Sequence, residues 1–353
     1  MRVGLTYNLK REIGGNTPFE GRASGKLPGG AALPEDFYLE CDAPETVGNV
    51  RDALAERHEE VIMIEADEDA FEKLRSSRPD MVFNMAEGVW GADRESQMPA
   101  IMEMLRIPYT GSAPLTLALC LNKGRAKEIL SHYGIPTPRY FLADTPSSVE
   151  HGRLDFPFPM IVKPLVEGSS KGIKNDCLVK DKAELVDRVA RITKEYRQPG
   201  LVEEFLPGRE FTVAILGNGS EVRALPIVEI NYSSLPKGIN PIYSYEAKWV
   251  LDTPETPLDI FTCPAAIDGG LKKAIEKAAI DAYKALDVKD WCRIDIRLDS
   301  KGAPSVLELN PLPGILMDPK CNSCFPKAAR SEGMTFSGLV NAVVEIARRR
   351  YGI

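Results

Sequence analysis

The residues best suited to chemistry lie between Cys292 and Asn310. CRIDIRL and SVLELN read as two strands joined by the turn Asp299-Ser-Lys-Gly-Ala-Pro304. Side chains alternate faces along a strand. Arg293, Asp295 and Arg297 therefore share one face, and Glu308 and Asn310 share a face of the second strand. A hairpin brings Asp295, Glu308 and Asn310 together as hard oxygen donors, with Arg293 beside them. Oxygen donors without His or Cys suit Mg²⁺ held between carboxylates and a nucleotide's phosphates. The opposite faces are apolar (Ile294, Ile296 and Leu298; Leu307 and Leu309), which argues against a ribbon solvated on both sides. Pro311-Leu-Pro-Gly314 then stops the second strand and opens a loop at the edge of the expected site.

Two further segments carry weaker signals. Lys163 ends an apolar strand, where its charge needs a partner such as phosphate. The loop Glu167-Gly-Ser-Ser-Lys-Gly172 can lay backbone N–H groups and hydroxyls on phosphate oxygens, although alone it also reads as a turn. Neither GxxxxGK[ST] nor GxGxxG occurs, so the common nucleotide fingerprints do not explain it. LVEEFLPGRE, Leu201–Glu210, is an acidic strand before Pro-Gly that can frame an adenine edge, with Phe205 as an apolar wall; alone it is an ordinary edge strand. Trp90, flanked by Gly88 and Gly91, reads as a pocket wall rather than core. Cys321-Asn-Ser-Cys324 lacks the second pair or the histidines of a zinc site and reads as incidental thiols.

The elements that must position these residues fall in a regular order. Arg2–Tyr7, Val61–Glu65 and Met81–Asn84 read as strands. They alternate with helices, one opened by an Asp42/Glu45 capping box and one capped by Asp67. This β-α-β-α-β order predicts a small parallel sheet with covering helices. The Gly/Pro-rich stretch Asn8–Pro34 is too long for a plain connection and reads as a functional or disordered loop. A second unit begins near Pro114, with a helix over Asn122–Tyr133, a buried strand over Pro159–Pro164, an amphipathic helix over Lys182–Glu195 and a strand over Leu201–Phe205. A strong helix spans about 267–286. The last helix ends in Arg348-Arg349-Arg350, cations that suit a helix C-terminus.

Composition bounds the function. The 353 residues carry a net charge of −7, which argues against non-specific nucleic-acid binding. The longest apolar stretch, Ala113–Leu121, is far short of the roughly 20 residues of a membrane helix. The start MRVGLTYNLK reads as a strand rather than a signal peptide. Seven scattered cysteines suit a reducing cytoplasm, and three separated histidines (His58, His132 and His151) make a zinc enzyme the poorer reading.

In this order and spacing the segments resemble the ATP-grasp superfamily, and within it the D-alanine–D-alanine ligase family, from about Met81 to the C-terminus. FPMIVKPLVEGSSKGI resembles the phosphate-loop segment, LVEEFLPGREFTVAIL the adenine and ribose strand, IYSYEAKW the mobile loop, and CRIDIRLDSKGAPSVLELNPLPG the metal hairpin; IPYTGS before Asn122-Lys123 also fits. The resemblance implies α/β and α+β architecture: an N-terminal Rossmann-like pre-ATP-grasp domain over residues 1–115, a central lid subdomain over 116–206 and a C-terminal subdomain over 207–353. ATP would lie between the last two. It implies that Lys123 and Lys163 contact ATP phosphates, and that Ser169, Ser170 and Gly172 lie over them. Glu203, Phe205 and Leu206 would frame adenine, Glu210 hold ribose and Lys248 reach the γ-phosphate. Asp295, Glu308 and Asn310 would hold two Mg²⁺, with Mn²⁺ as a substitute ion, and Arg293 would stabilise the acyl phosphate and tetrahedral intermediate. The implied reaction phosphorylates a carboxylate, which an amine then attacks to give an amide, ADP and phosphate. Small amino acids or peptides would be its substrates, and the family is commonly dimeric.

The substrate-facing segments depart from that family. Its N-terminal loop carries a substrate-binding Glu, whereas the first strand here runs into Tyr7-Asn8-Leu9-Lys10, and the resemblance assigns that Glu to no position of this sequence. Glu87 stands at the family's His position. Past Gly314 the serine-containing stretch is replaced by Ile315-Leu316-Met317-Asp318, and Trp249 replaces a Tyr after Lys248. Glu87 and Asp318 would repel a carboxylate or welcome an amine. The expectation is a ligase for another pair of amino-acid-like substrates. A phosphotransferase on the same fold is the alternative, lowered by the lack of a visible phospho-acceptor histidine. A nucleotide-binding module without turnover is a third.

Overall fold

Strand β1 (Arg2–Tyr7) sits at the centre of a three-stranded parallel sheet in the order β2-β1-β3, between β2 (Glu60–Glu65) and β3 (Met81–Asn84). Val3 and Leu5 are fully buried, as a parallel sheet covered on both faces requires. The structure is a computed structural model and describes residues 1–11, 33–253 and 256–353. Residues 12–32 of the stretch Asn8–Pro34 lie outside the described residues. The helix Pro44–Ala55 covers this sheet, and its first residue is a proline that needs no N–H partner. Ala43 is its N-cap and makes no side-chain cap. The expected Asp42/Glu45 capping box is therefore absent. Asp42 instead pairs its backbone with the end of β1: its N–H donates to Asn8 O (2.8 Å) and its carbonyl accepts from Lys10 N–H (2.9 Å).

The second sheet is antiparallel, in the order β4-β7-β5-β6: β4 Tyr140–Ala143, β5 Met160–Pro164, β6 Leu178–Val179 and β7 Gly200–Glu204. The helix Lys182–Glu195 covers it with Leu185, Val189 and Ile192, all fully buried. Asp181 caps that helix by accepting from the N–H groups of Ala183 (2.9 Å) and Glu184 (3.0 Å).

The third sheet holds β8 (Glu210–Leu216), β9 (Arg223–Ala224), β10 (Val228–Ile230), β11 (Phe261–Thr262), β12 (Trp291–Leu298) and β13 (Pro304–Asn310). Its order is β11-β10-β8-β12-β13, with β9 also on β8. The helix Gly269–Ala285 supplies Ile275, Ala279 and Ala282 to its core. The two outer sheets share one apolar core. Trp291 stacks edge-on against Phe83 of β3 (5.5 Å between ring centres) and Phe325 (5.6 Å). The final helix, Phe336–Tyr351, returns to the first layer, where Asn341 Nδ2 donates to Ala53 O (2.7 Å). No helix among the described residues is long and apolar enough to cross a membrane.

Arg350 does more than suit a helix terminus. Its guanidinium reaches the fully buried Asp290 (2.8 Å) and donates to the carbonyls of Tyr109 (2.8 Å) and Gly111 (3.1 Å). Asp290 also accepts from Gly111 N–H (2.8 Å) and Asn218 Nδ2 (2.7 Å). Removing one partner of a buried ion pair strands the other charge. R350M is therefore expected to cost about 3 kcal/mol in urea unfolding. R349A, which cuts only the exposed contact with Glu221 (3.2 Å), is expected to stay within about 0.5 kcal/mol. Equal losses would refute the Asp290 anchor.

Candidate active site

A cavity of about 400 Å³ opens between the three sheets. The hairpin β12–β13 forms one wall. Its register places Arg293 opposite Asn310 and Asp295 opposite Glu308, with a ladder irregularity just after Asp295. Arg293 grips Asp295 through Nε (3.0 Å) and Nη2 (2.9 Å) and comes within 4.0 Å of Glu308. Asn310 Nδ2 donates to Asp295 Oδ2 (3.2 Å). Burial opposes ionisation of Glu308. Lys123, Lys163 and Arg293 outweigh it and hold the carboxyl down at about 2. The set is two carboxylates and an amide, all oxygen donors on adjacent strands, and fits a hard divalent cation.

Opposite the hairpin lie the lysines. Lys123 begins the helix Lys123–His132, whose N-cap Asn122 accepts from Arg125 N–H (3.1 Å). Its ammonium is 3.7 Å from Glu308. Lys163 on β5 pairs with Glu203 on the neighbouring β7 at 2.7 Å. Lys127, one turn beyond Lys123, takes the other oxygen of Glu203 at 2.5 Å. Glu203 is thus almost wholly buried between two ammonium groups while it also lines the cavity. Phe205 and Leu206 do line the cavity. Glu210 lines it too, bonded to Arg297 (2.8 Å), whose guanidinium stacks 4.7 Å from the ring centre of Phe205. Burial, partly offset by Arg297, raises the Glu210 carboxyl.

Two loops close another side of the cavity. Ser169 (φ 50°), Ser170 (φ 61°) and, past Lys171, Gly172 (φ 66°) are left-handed. Only glycine suits the last, since a Cβ there would come within 2.5 Å of Pro164 Cγ. Gly172 shapes the loop but does not line the cavity, whereas Ser169 and Ser170 do. The loop carrying Lys248 lies against this one. Trp249 Nε1 donates to Ser169 O (3.0 Å), Ser170 Oγ to Tyr243 O (2.9 Å) and Tyr245 N–H to Ile173 O (2.7 Å). Lys248 is pushed down to about 8 by burial and by Arg293.

The substrate end divides. Glu87 and Gly314 line the cavity. Trp90 and Asp318 do not, which corrects the expectation for both. Trp90 is 43% exposed and packs against Phe37 (5.1 Å between ring centres). Asp318 is exposed and accepts from Lys320 N–H (2.9 Å). Cys324 lines the cavity with a thiol that burial pushes up to about 12, so it is a poor nucleophile.

Several residues of this site were not legible beforehand. Lys127 had a signal, its i+4 spacing from Lys123. Glu40, Arg94 and Lys171 had none. Glu40 accepts from Gly168 N–H (2.6 Å), from Arg94 (2.7 and 2.8 Å) and from Lys171 (3.2 Å). Arg94 and Lys171 overcome burial and hold Glu40 at about 2. Asp42 and Glu95 also line the cavity; burial alone raises Asp42 to about 7, and burial outweighs Arg94 and Lys123 to raise Glu95 to about 7. Glu87 is raised by burial and then by Glu95 and Glu40.

The β8–β12–β13 sheet with its charged hairpin, the β4–β7 sheet with its glycine-bounded loop and the cavity between them define an ATP-grasp fold. The comparisons give the family. Residues 129–345 match the sequence family described as D-ala D-ala ligase C-terminus. The D-alanine–D-alanine ligase of Pelotomaculum thermopropionicum is 30% identical over 337 residues, 93% of this chain and 98% of the relative. A Sinorhizobium fredii protein named only as uncharacterized protein y4sG is 35% identical over 326 residues, 89% and 92% of the two chains. The crystal structure of D-alanine–D-alanine ligase from Bacillus anthracis superposes with a TM-score of 0.70 at 25% identity, covering 99% of this chain and 98% of that one. This chain belongs to the D-alanine–D-alanine ligase family.

One consequence concerns stability. The folded Glu95 carboxyl titrates above its ordinary range. Between roughly pH 4.5 and 7 the folded chain binds more protons than the unfolded one, so this group's contribution falls as pH rises and is gone above 7. E95Q is expected to stabilise the fold at pH 8 by on the order of 2 kcal/mol in urea unfolding and to leave it near wild type at pH 5. Equal loss at both pH values would show that Glu95 is held ionised by its neighbours.

Proposed function

We infer that the chain is an ATP-dependent ligase that joins a carboxylate to an amine, forming a peptide bond between small amino-acid or peptide substrates. The carrying observation is the single cavity that gathers Arg293, Asp295, Glu308 and Asn310 with Lys123, Lys163 and Lys248, in a chain related over nearly its full length to named ligases. The substrate carboxylate attacks the γ-phosphorus, ADP leaves, and an acyl phosphate forms. The amine of the second substrate attacks its carbonyl, phosphate leaves, and the amide remains.

Each residue has a role in this reading. Lys123 and Lys163 neutralise ATP phosphates. Glu203, with Lys127, orients Lys163 rather than facing adenine itself. Phe205 and Leu206 wall the adenine, and Glu210 with Arg297 stands at the ribose. Ser169 and Ser170 cover the phosphates, and Lys248 reaches the γ-phosphate. Asp295, Glu308 and Asn310 would hold Mg²⁺, which supplies charge neutralisation between phosphate oxygens. Arg293 stabilises charge on the acyl phosphate and on the tetrahedral oxyanion. The working division is residues 1–115, 116–206 and 207–353, with ATP between the last two. Closure of the loops at Gly168 and Tyr243–Trp249 keeps water from the acyl phosphate.

The substrate pair differs from two D-alanines, because Glu87 and the apolar Ile315-Leu316 replace polar substrate contacts of the resembled family. Glu87, Asp42 and Glu95 form an end of the cavity that favours an amine over a carboxylate. Phosphate release and product mass, measured across D- and L-amino acids, dipeptides and amines, test both points. Amide, ADP and phosphate in equal amounts are expected. R293A should lower kcat by about 10²–10³-fold, and EDTA should stop turnover. A phosphorylated product made without an amine would indicate a phosphotransferase. D-alanyl-D-alanine as the dominant product would overturn the substrate claim alone.

The pH profile reports Lys248. Its ammonium is the form that neutralises phosphate, and it deprotonates near 8 in the nucleotide-free protein. kcat/KM for ATP should fall as pH rises through about 8. K248R, whose guanidinium stays charged, should carry activity to higher pH. A wild-type profile flat to pH 10 would remove Lys248 from this role.

A further inference from the structure

Six cations line the cavity: Lys10, Lys123, Lys163, Lys248, Arg293 and Arg297. Four face a carboxylate: Lys123 with Glu308 (3.7 Å), Lys163 with Glu203 (2.7 Å), Arg293 with Asp295 (2.9 Å) and Arg297 with Glu210 (2.8 Å). Among the described residues, Lys10 and Lys248 have no carboxylate partner. Lys248 is accounted for by the γ-phosphate in the reading above. Lys10 is not.

Lys10 is held in place from both sides. Its N–H donates to Asp42 O (2.9 Å), and Asp42 N–H donates to Asn8 O (2.8 Å). The Asn8 amide is itself fixed, accepting from Gly88 N–H (2.8 Å) and donating to Ala66 O (3.0 Å). The ammonium lies 5.0 Å from the ring centre of Trp249, and Lys248 lies 5.1 Å from the same ring. The indole is anchored through Nε1 to Ser169 O (3.0 Å). A ring face positions an ammonium but satisfies none of its N–H donors. Lys10 follows the C-terminal end of a parallel strand, the end where open α/β sheets bind ligands. Lys10 is exposed, so water meets those donors; a cation with an anchored backbone, no carboxylate partner among the described residues and a place in the cavity lining matches an anionic group on a ligand.

The ligase reading supplies that group, and this inference rests on it. When both substrates are amino acids or peptides, one carboxylate is phosphorylated and another passes through the reaction untouched and charged. The chain past Gly314 offers it little: Ile315 and Leu316 line the cavity with apolar side chains. The nearby Ser323 hydroxyl is already occupied, donating to Gly314 O (3.2 Å) and accepting from Leu316 N–H (3.1 Å). We propose that Lys10 is a specificity-determining residue that binds the unreacted carboxylate of the substrate pair.

Amino-acid substrates compared with their carboxamides test this in wild type, K10M, K10R and K10E. Wild type should favour the acid over the amide at least tenfold in kcat/KM. K10M should raise KM for the acid about 10–100-fold, with a much smaller fall in kcat and no rise in KM for ATP, and so level the two substrates. K10R should keep the preference, and K10E should reverse it. A K10M defect in KM for ATP, or equal losses on acid and amide, would place Lys10 on phosphate or in structure and overturn the proposal. Calorimetry of the same acids and amides with a non-hydrolysable ATP analogue reads the preference without turnover. Failure of the ligase reading, seen as no phosphate release from any pair, is thereby separated from failure of the Lys10 assignment, seen as binding indifferent to the carboxylate.

Discussion

The cavity depends on one constraint: a charge taken from water must meet an opposite charge. Six cations converge there; three meet carboxylates from neighbouring elements and Arg293 meets Asp295 of its own strand. Glu203 shows the arrangement most fully. One buried carboxylate on β7 holds Lys163 from the adjacent strand and Lys127 from a helix. Pairs of this kind add little to stability and fix position strongly. A lysine locked at 2.7 Å to a neighbour has spent its ordering entropy before any phosphate arrives. That is the preorganisation on which phosphoryl chemistry relies.

The same constraint explains how the N-terminal layer joins the ATP-binding part. Glu40 accepts from the N–H of Gly168 in the glycine-bounded loop and also pairs with Lys171 of that loop and with Arg94. Asp36 does likewise for Gly172 N–H (3.0 Å) and the Tyr196 hydroxyl (2.6 Å). The glycine-bounded loop is therefore fastened below by the first layer and beside by the segment carrying Lys248. Opening it would break the Glu40–Lys171 pair and leave Glu40 to Arg94 (2.7 Å) and Lys171 to Glu167 (2.6 Å).

What could be read in the sequence follows from how local its physics is. The hairpin β12–β13 was legible because strand alternation and one short turn suffice to juxtapose Asp295, Glu308 and Asn310. The helix Lys182–Glu195 and the strands β1 and β3 were legible from period alone. Asp42 was misread because an acidic residue before Pro44 looks like a cap, while its backbone was claimed by the end of β1, a pairing between distant stretches of chain. Arg350 looked like a helix-terminal cation because Asp290 lies 60 residues away. Trp90 and Asp318 were misplaced for a related reason: flanking glycines and position after a loop indicate a bend, not which side of it faces a cavity.

The two ends of the cavity follow different electrostatic rules, and this separates what the family shares from what this chain alters. At the hairpin end the carboxylates are matched by cations and stay ionised, as Glu308 at about 2 shows. At the β1 end burial wins: it raises Asp42 to about 7 with no cation opposing it and raises Glu95 to about 7 against Arg94 and Lys123, while Lys10 nearby has no carboxylate partner among the described residues. Lys10 is exposed and turns toward Trp249 rather than toward Asp42, so its charge stays available to a ligand. On the reading proposed above, a substrate whose unreacted carboxylate meets Lys10 leaves its reacting group for the matched end, where Lys123, Lys163 and Lys248 stand.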